Sequence, residues 1–400
     1  MRVLLLSAAF RPHQGGVATH ATDLAHGLAE ANNRVFVLTV RKRGKLKQET
    51  NDRLIVWKID PRQPSEFDGR RAPLERISTF LMQRWHEVDA DIIHAHDFDS
   101  LFVGWMLKTA FSIPLILTVH NAPRKWRPGL HRERPKNCFL EAVRTHGIVD
   151  GLIVPSQASA STLIAQGFTS ESCGAAPKVI PHGIRRHLAS FTPDPALLTE
   201  IGVDEDDIVF VLCPTRIDVH KDVDTFVKAA AQLKKNARRR RFLFLVTNEP
   251  TGIEYKVIAK SANQLGLEVG RDIRFRQFSY QEMATLYRRA NLCVVPSPRE
   301  SFGLTVLEAF LFGVPVIAAN QGALPEIVRH ENNGLLFEPG DPVDLSNQVS
   351  RILDNDELRQ RICVAARKQV GEGEEYSADR MIKDHELFYG EVRARSGARR

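Results

Sequence analysis

Short runs of apolar, often β-branched residues recur along the chain, each followed by a turn and a segment of helical spacing. Val3–Ser7 leads through Gly15-Gly16 into a helical stretch, Val17–Ala31, with apolar residues at Val17, Leu24 and Leu28. Arg34–Val40 and Leu54–Ile59 read as strands and Pro73–Val88 as a helix. Asp91–His94, Pro114–Val119, Gly151–Pro155 and Lys178–Pro181 read as further strands. Strands that alternate with helices imply a parallel sheet covered on both faces. After a polar, acidic and Pro-bearing stretch, His187–Asp207, the pattern begins again. Ile208–Pro214, Phe242–Val246, Ile273–Phe275, Leu292–Val295 and Val314–Ala318 are its strands. The chain thus predicts two doubly wound α/β domains, 1–185 and 186–376, and a last helical segment over 377–392. Its 400 residues suit two domains of about 150–200 residues each. In such domains ligands bind beyond the carboxyl ends of the strands, so the residues of interest should lie just after strands.

Composition removes several classes. Hydrophobic residues make up 43% and charged residues 26%, as in a globular protein. The most apolar stretch, Gly303 to Ala319, carries Glu308, Gly313 and Pro315, whereas a bilayer span needs about 20 uninterrupted apolar residues. The N-terminus has a single Arg and a short apolar run, with Pro12 and Gly15-Gly16 close behind. It reads as a first strand rather than a signal peptide. The scattered cysteines (Cys138, Cys173, Cys213, Cys293, Cys363) form no C-x-x-C pair, which points to a reducing, cytoplasmic setting without a disulfide frame or zinc site. Cys213 and Cys293 sit in apolar runs and read as small core residues. A net charge of +7 favours anionic partners. The charge concentrates in Arg41–Arg43 with Lys45 and Lys47, in Arg124–Lys136 and in Arg238–Arg241, where solvated surface is the competing explanation.

Three strand exits carry residues suited to chemistry. After the first strand, Gly15-Gly16 would let backbone amides approach a phosphate or sugar, although no G-x-G-x-x-G follows. After strand 208–214, Arg216 and Lys221 stand five apart across a loop and could clasp phosphate oxygens from two sides. After strand 292–295 comes PSPRESFGLTVLEA, with Glu300 in the loop and Glu308 on the helix behind it. On one continuous helix the two would lie about 80° out of phase, but the loop allows both to face one ligand. Gly303 at the helix entry would expose amides to a diphosphate.

In this order and spacing, the sites resemble glycosyltransferase family 4, the retaining glycosyl transferases group 1 of GT-B fold. The E-x7-E signature is Glu300 and Glu308 within ESFGLTVLEAFLFGVPVIA, followed by GALPEIV and NNGLLFEPGDPVDL. TRIDVHK matches the GR-x-x-x-x-K element, VIPHGI the interdomain hinge, and the GGV, IIHAHD and LTVHN runs agree as well. The resemblance covers nearly the whole chain and implies a last helix, 377–392, that crosses back onto the first domain. It implies that Glu300 touches donor-sugar hydroxyls, that Glu308 holds the ribose, and that Arg216 and Lys221 neutralise the diphosphate without a metal. Amides of Phe302, Gly303, Leu304 and Thr305 would add to that anion site, and Phe278 would lie by the donor. His120 would contact the donor sugar near its reacting carbon, and Gly16 would lie against phosphates or acceptor. The implied reaction moves a hexose from a nucleotide diphosphate, UDP before GDP, to a hydroxyl acceptor with retention of configuration. No cofactor is expected. The chain departs from the pattern at Thr215 and Asp222, where glycines are usual, at His182 in place of the hinge Asn, and at Gln277 in place of a Gly.

Other readings compete. Asp97-Phe98-Asp99 has the D-x-D form of metal-dependent GT-A enzymes, but the same form recurs at Asp89–Asp91, Asp204–Asp206, Asp222–Asp224 and Asp354–Asp356. His94 and His96 share one face of a strand and could ligate a metal with His120. Because the family places no metal there, packing or hydrogen bonding is the expected role. A nucleotide-sugar epimerase on the same fold is the alternative enzyme, and a basic nucleic-acid binder the non-enzyme. No helix-turn-helix, RNP-like or zinc pattern supports the binder, so no nucleic acid is expected. The run around Trp126, with Arg124, Lys125 and Arg127, follows the His120 strand exit. It is expected to receive an anionic or lipid-linked acceptor, or to touch a membrane peripherally.

Overall fold

The computed structural model describes residues 1–13, 15–40, 47–59, 73–121, 135–218, 220–236 and 240–397. The chain divides into two compact units, Met1–His182 with Ala378–Arg400, and Gly183–Ser377.

In the first unit eight strands form one sheet. They are β1 (Arg2–Ser7), β2 (Arg34–Val40), β3 (Lys47–Asn51), β4 (Leu54–Ile59), β5 (Ile92–His96), β6 (Leu115–Thr118), β7 (Gly151–Val154) and β8 (Pro177–Val179). Their order is β3-β4-β2-β1-β5-β6-β7-β8. All pairs are parallel except β3–β4, which is a hairpin. Lys47–Asn51 (KQETN) has no apolar alternation to mark it as a strand, and its polarity suits the sheet edge it occupies. Side chains alternate between two cores. Leu4, Leu6, Phe36, Leu38, Ile93 and Ala95 face one, and Val3, Leu5, Val35, Val37 and Ile92 the other. The second core is closed by helix Gly16–Glu30 and by helix Ala378–Gly397, which contributes Met381, Ile382, Phe388, Tyr389 and Val392. The helix expected over Pro73–Val88 is two, Pro73–Gln83 and Trp85–Val88, interrupted at Arg84.

The second unit holds β9 (Ile208–Cys213), β10 (Arg241–Val246), β11 (Ile273–Phe275), β12 (Leu292–Val295), β13 (Val316–Ala319) and β14 (Leu335–Phe337). Their order, β11-β10-β9-β12-β13-β14, is parallel throughout. Every residue of β12 and β13 is buried, as both-face coverage requires. Cys213 and Cys293 lie in this interior, where burial pushes both thiols up and keeps them unreactive.

In each sheet the chain starts at the centre, builds outward on one side, then returns to build on the other. The return falls between β1 and β5 in the first unit and between β9 and β12 in the second. Loops leaving those neighbouring strands diverge, so their space is left for a ligand. Among the described residues no helix is long and apolar enough to cross a membrane.

Candidate active site

In the second unit the exits of β9 and β12 meet. Lys221, beyond β9, donates from Nζ to Oε2 of Glu300, beyond β12, at 2.6 Å, with both side chains about four-fifths buried. The pair ties the two loop tips together and sets an ammonium beside a carboxylate at the sheet's switch point. Arg216 is different. Its side chain is 80% exposed and its guanidinium lies 3.9 Å from Asp218, too far for a strong bond and free to turn toward an anion.

Glu300 is held by its backbone as well. Its carbonyl accepts from the Ala323 N–H at 3.0 Å, and Gly322 packs so closely that a Cβ there would lie 2.8 Å from the same oxygen. Gly322 also has φ +67°, so only glycine satisfies both demands. Helix Leu304–Phe312 begins at Gly303, whose φ of +121° turns the chain into the helix, and no side chain caps that end. The first amides there are open to an anion. Phe302 itself is buried at 5% exposure, against Tyr376, so its amide rather than its ring can face a ligand, while Leu304 and Thr305 are half-buried. Glu308 is oriented from beneath. The buried Tyr287 hydroxyl donates to its Oε2 at 2.8 Å, and burial together with Glu308 holds that phenol well above its usual range.

One departure from the family pattern acquires a reason here. Asp222 stands at φ +49°, in the left-handed region that Asp tolerates better than most residues, and its carboxylate accepts from the Thr225 hydroxyl at 2.8 Å. Phe278 does not present its ring. It is the residue expected by the donor, and it is 5% exposed, packed in the unit's core and covered by the Arg276 guanidinium at 5.0 Å.

In the first unit the exits of β1, β5 and β6 bring histidines together. Helix Gly16–Glu30 starts after Gly15 without a side-chain cap, leaving the first amides, that of Gly16 included, open. One turn on, His20 packs its ring 4.0 Å from His182, 5.0 Å from His120 and 5.5 Å from His96. His120 Nε2 lies 3.1 Å from His96 Nδ1, and its Nδ1 lies 3.3 Å from His182 Nε2. The hinge histidine that replaces asparagine thus belongs to this group. The Asp97 carboxylate accepts from the His120 N–H at 2.9 Å, which gives that D-x-D aspartate a backbone-fixing role. His94, for which packing or hydrogen bonding was the expected role, is engaged at both ring nitrogens, with Tyr389 at 2.7 Å and Thr118 at 2.6 Å. Burial holds His20, His94, His96 and His182 well below the usual imidazole range and lowers His120, while His385 is brought down to about 4. His20 and His385 were not legible as site neighbours, since only helix docking brings them in; a His one turn past Gly16 was the available signal. Arg124, Lys125 and Arg127 lie outside the described residues.

Comparison with known proteins decides the family. Residues 199–369 match the model of glycosyl transferases group 1, and residues 14–187 match that of glycosyltransferase family 4. The chain belongs to this glycosyltransferase family. It is 32% identical, over 70% of its length, to a D-inositol 3-phosphate glycosyltransferase of Geodermatophilus obscurus, and the match spans 62% of that protein, under two thirds. Among solved structures, sucrose-phosphate synthase from Thermosynechococcus elongatus is similar over 98% of this chain and 100% of its own, with TM-score 0.78 and 22% identity. Anabaena HepE, solved in complex with UDP and glucose, is similar over the same shares with TM-score 0.74 and 21% identity. Both likenesses establish the fold, and the two doubly wound units of this glycosyltransferase are those of GT-B.

Two predictions follow from this geometry. Gly322→Ala must displace the Glu300 backbone, whereas Gly340, at φ +78° with open space around it, loses only conformational ease. Gly322→Ala is therefore expected to cost about 1–3 kcal/mol more than Gly340→Ala in urea denaturation; equal losses would show that the Glu300 loop yields freely. The second concerns pH. The folded chain keeps these imidazoles neutral, while the unfolded chain protonates them near the ordinary imidazole value of about 6.5. Below that value the unfolded state binds more protons, so stability present above it is lost as pH falls. The loss approaches about 1.4 kcal/mol per pH unit for each such imidazole. Urea midpoints, measured in metal-free buffer between about pH 7.5 and 5.5, should fall with pH and do so less steeply in His20→Phe.

Proposed function

We propose that this glycosyltransferase moves a hexose from a UDP-sugar to a hydroxyl of an anionic acceptor, with retention of configuration and without a metal in the reaction. The observation that carries the reading is the Lys221–Glu300 pair beside the uncapped start of helix Leu304–Phe312. A leaving diphosphate gains negative charge as the glycosidic bond breaks. Lys221, the mobile Arg216 and the amides from Phe302 to Thr305 are the charges and dipoles suited to receive it. Binding requires Lys221 to turn from Glu300 toward phosphate. That releases a carboxylate that can accept from sugar hydroxyls, so one ion pair supplies both halves of donor recognition. Glu308, steadied by Tyr287, takes the ribose hydroxyls, and His120 meets the donor sugar near its reacting carbon.

UDP is favoured because the Anabaena neighbour was solved with UDP and glucose. An anionic acceptor is favoured because the Geodermatophilus relative is named for an inositol phosphate and because Arg124, Lys125 and Arg127 form a basic run. Retention follows from the family resemblance.

Thermal unfolding with UDP, GDP, ADP and their sugar conjugates tests the donor. A ligand at 100 times its Kd adds about 2.7 kcal/mol to the folded state, so UDP and one UDP-sugar should stand out; a shift by GDP or ADP alone would replace the donor. Lys221→Ala should lower kcat by about 100-fold or more, because its charge acts mainly in the transition state. Wild-type turnover in that variant would remove the leaving-group role. Replacing Arg124, Lys125 and Arg127 with Ser should raise the acceptor KM and leave donor binding alone, and unchanged kinetics would separate the basic run from the acceptor.

A further inference from the structure

The histidine group in the first unit holds more ligand-forming nitrogen than packing needs. One ring nitrogen each from His20, His96 and His120 can be chosen so that all three lie within 4.8 Å of one another. The three rings come from helix Gly16–Glu30, from the end of β5 and from two residues beyond β6, so the sheet and its covering helix hold them in place. All three are buried, at 2%, 1% and 4% exposure. Neither ring nitrogen of His20 has a hydrogen-bond partner among the described residues. A buried imidazole ordinarily finds at least one partner, since leaving its polar atoms unmade costs about 1–3 kcal/mol. His20 pays that cost twice over, in a place where two other imidazoles converge on it.

We propose that His20, His96 and His120 form a binding site for a zinc-class divalent transition ion. Neutral imidazoles suit zinc, copper and nickel rather than magnesium or calcium, which prefer oxygen. The spacing is close to what such an ion asks. Zn–N bonds of about 2.0–2.1 Å place tetrahedral ligand nitrogens about 3.3 Å apart, and His96 Nδ1 and His120 Nε2 are already 3.1 Å apart. The outer ring of partners is present too. With Nε2 on the ion, His120 carries its proton on Nδ1 and donates to His182 Nε2 at 3.3 Å, the arrangement that orients metal-bound imidazoles. His94 is excluded as a ligand by Tyr389 and Thr118, and it walls the site instead. Three protein ligands leave a fourth position for water or an anion.

Occupancy has a consequence that rests on the role given above to His120. An imidazole bound to zinc cannot also meet a donor sugar, so the ion would inhibit transfer rather than assist it.

The test uses the full chain, stripped with EDTA and then titrated. One equivalent of Zn2+ should bind in calorimetry, and Co2+ in its place should give the intense visible bands of tetrahedral coordination. His20→Phe, which fills the volume without a ligand, and His96→Gln should each weaken zinc binding by at least about 10-fold, by the measure known for lesser changes around such sites. His146→Gln, an exposed histidine, should bind as the wild type does. Octahedral cobalt spectra in the wild type, or zinc affinity unchanged in both variants, would overturn the site, and the spectrum needs no variant to fold. If zinc binds as described and turnover is insensitive to it, the metal site stands and the catalytic place of His120 falls.

Discussion

Parallel strands cannot be joined by hairpins, and this restriction shapes everything functional in the molecule. Each connection has to cross a face of the sheet, and the crossings on either side of a central pair carry their loops apart. In both units the residues of chemical interest sit at that divergence. The first has the open start of helix Gly16–Glu30 beyond β1 and His96 at the end of β5. The second has Arg216 and Lys221 beyond β9, with Glu300 and the open start of helix Leu304–Phe312 beyond β12. A helix whose amides open at a switch point is a standing anion site. A GT-B chain therefore needs few further devices around such a site.

Those devices are held mainly from below. Glu300 is braced through its carbonyl by Ala323, and Gly322 leaves the room for that close approach. Glu308 is aimed by the Tyr287 hydroxyl, which is fully buried and packed against Phe312. Both supports decide where a carboxylate stands. The Lys221–Glu300 ion pair joins the two loops and neutralises both charges. The first unit has a stiffer arrangement. Its histidines are locked between a sheet and two helices, and their burial, more than any single bond, keeps them neutral.

The departures from the family pattern show how physical reasons survive substitution. Asp222 stands where glycine is usual because a short polar side chain can take positive φ and then use its carboxylate to start the next helix. His182 replaces the hinge asparagine and gives His120 a ring partner. Phe278, which the family resemblance puts by the donor, has its ring in the unit's core, where its apolar area is buried. Position after a strand marks where a backbone emerges, and says less about which way a side chain turns.

Strand and helix periods, glycine turns and motif spacing are local properties, so the chain alone determined the two doubly wound domains, most of their strands and the loops that carry Arg216, Lys221, Glu300 and Glu308. Lys47–Asn51 escaped because an edge strand needs no apolar alternation, and Pro73–Val88 broke at Arg84 without a Pro or Gly to announce it. Only tertiary structure decided that Lys221 rests on Glu300, that Tyr287 lies under Glu308, and that the last helix brings His385 toward His20, His94 and His96. Each of these joins residues from distant segments whose meeting depends on how sheets and covering helices pack, and packing is settled by shape and buried area rather than by any pattern a short stretch of sequence can carry.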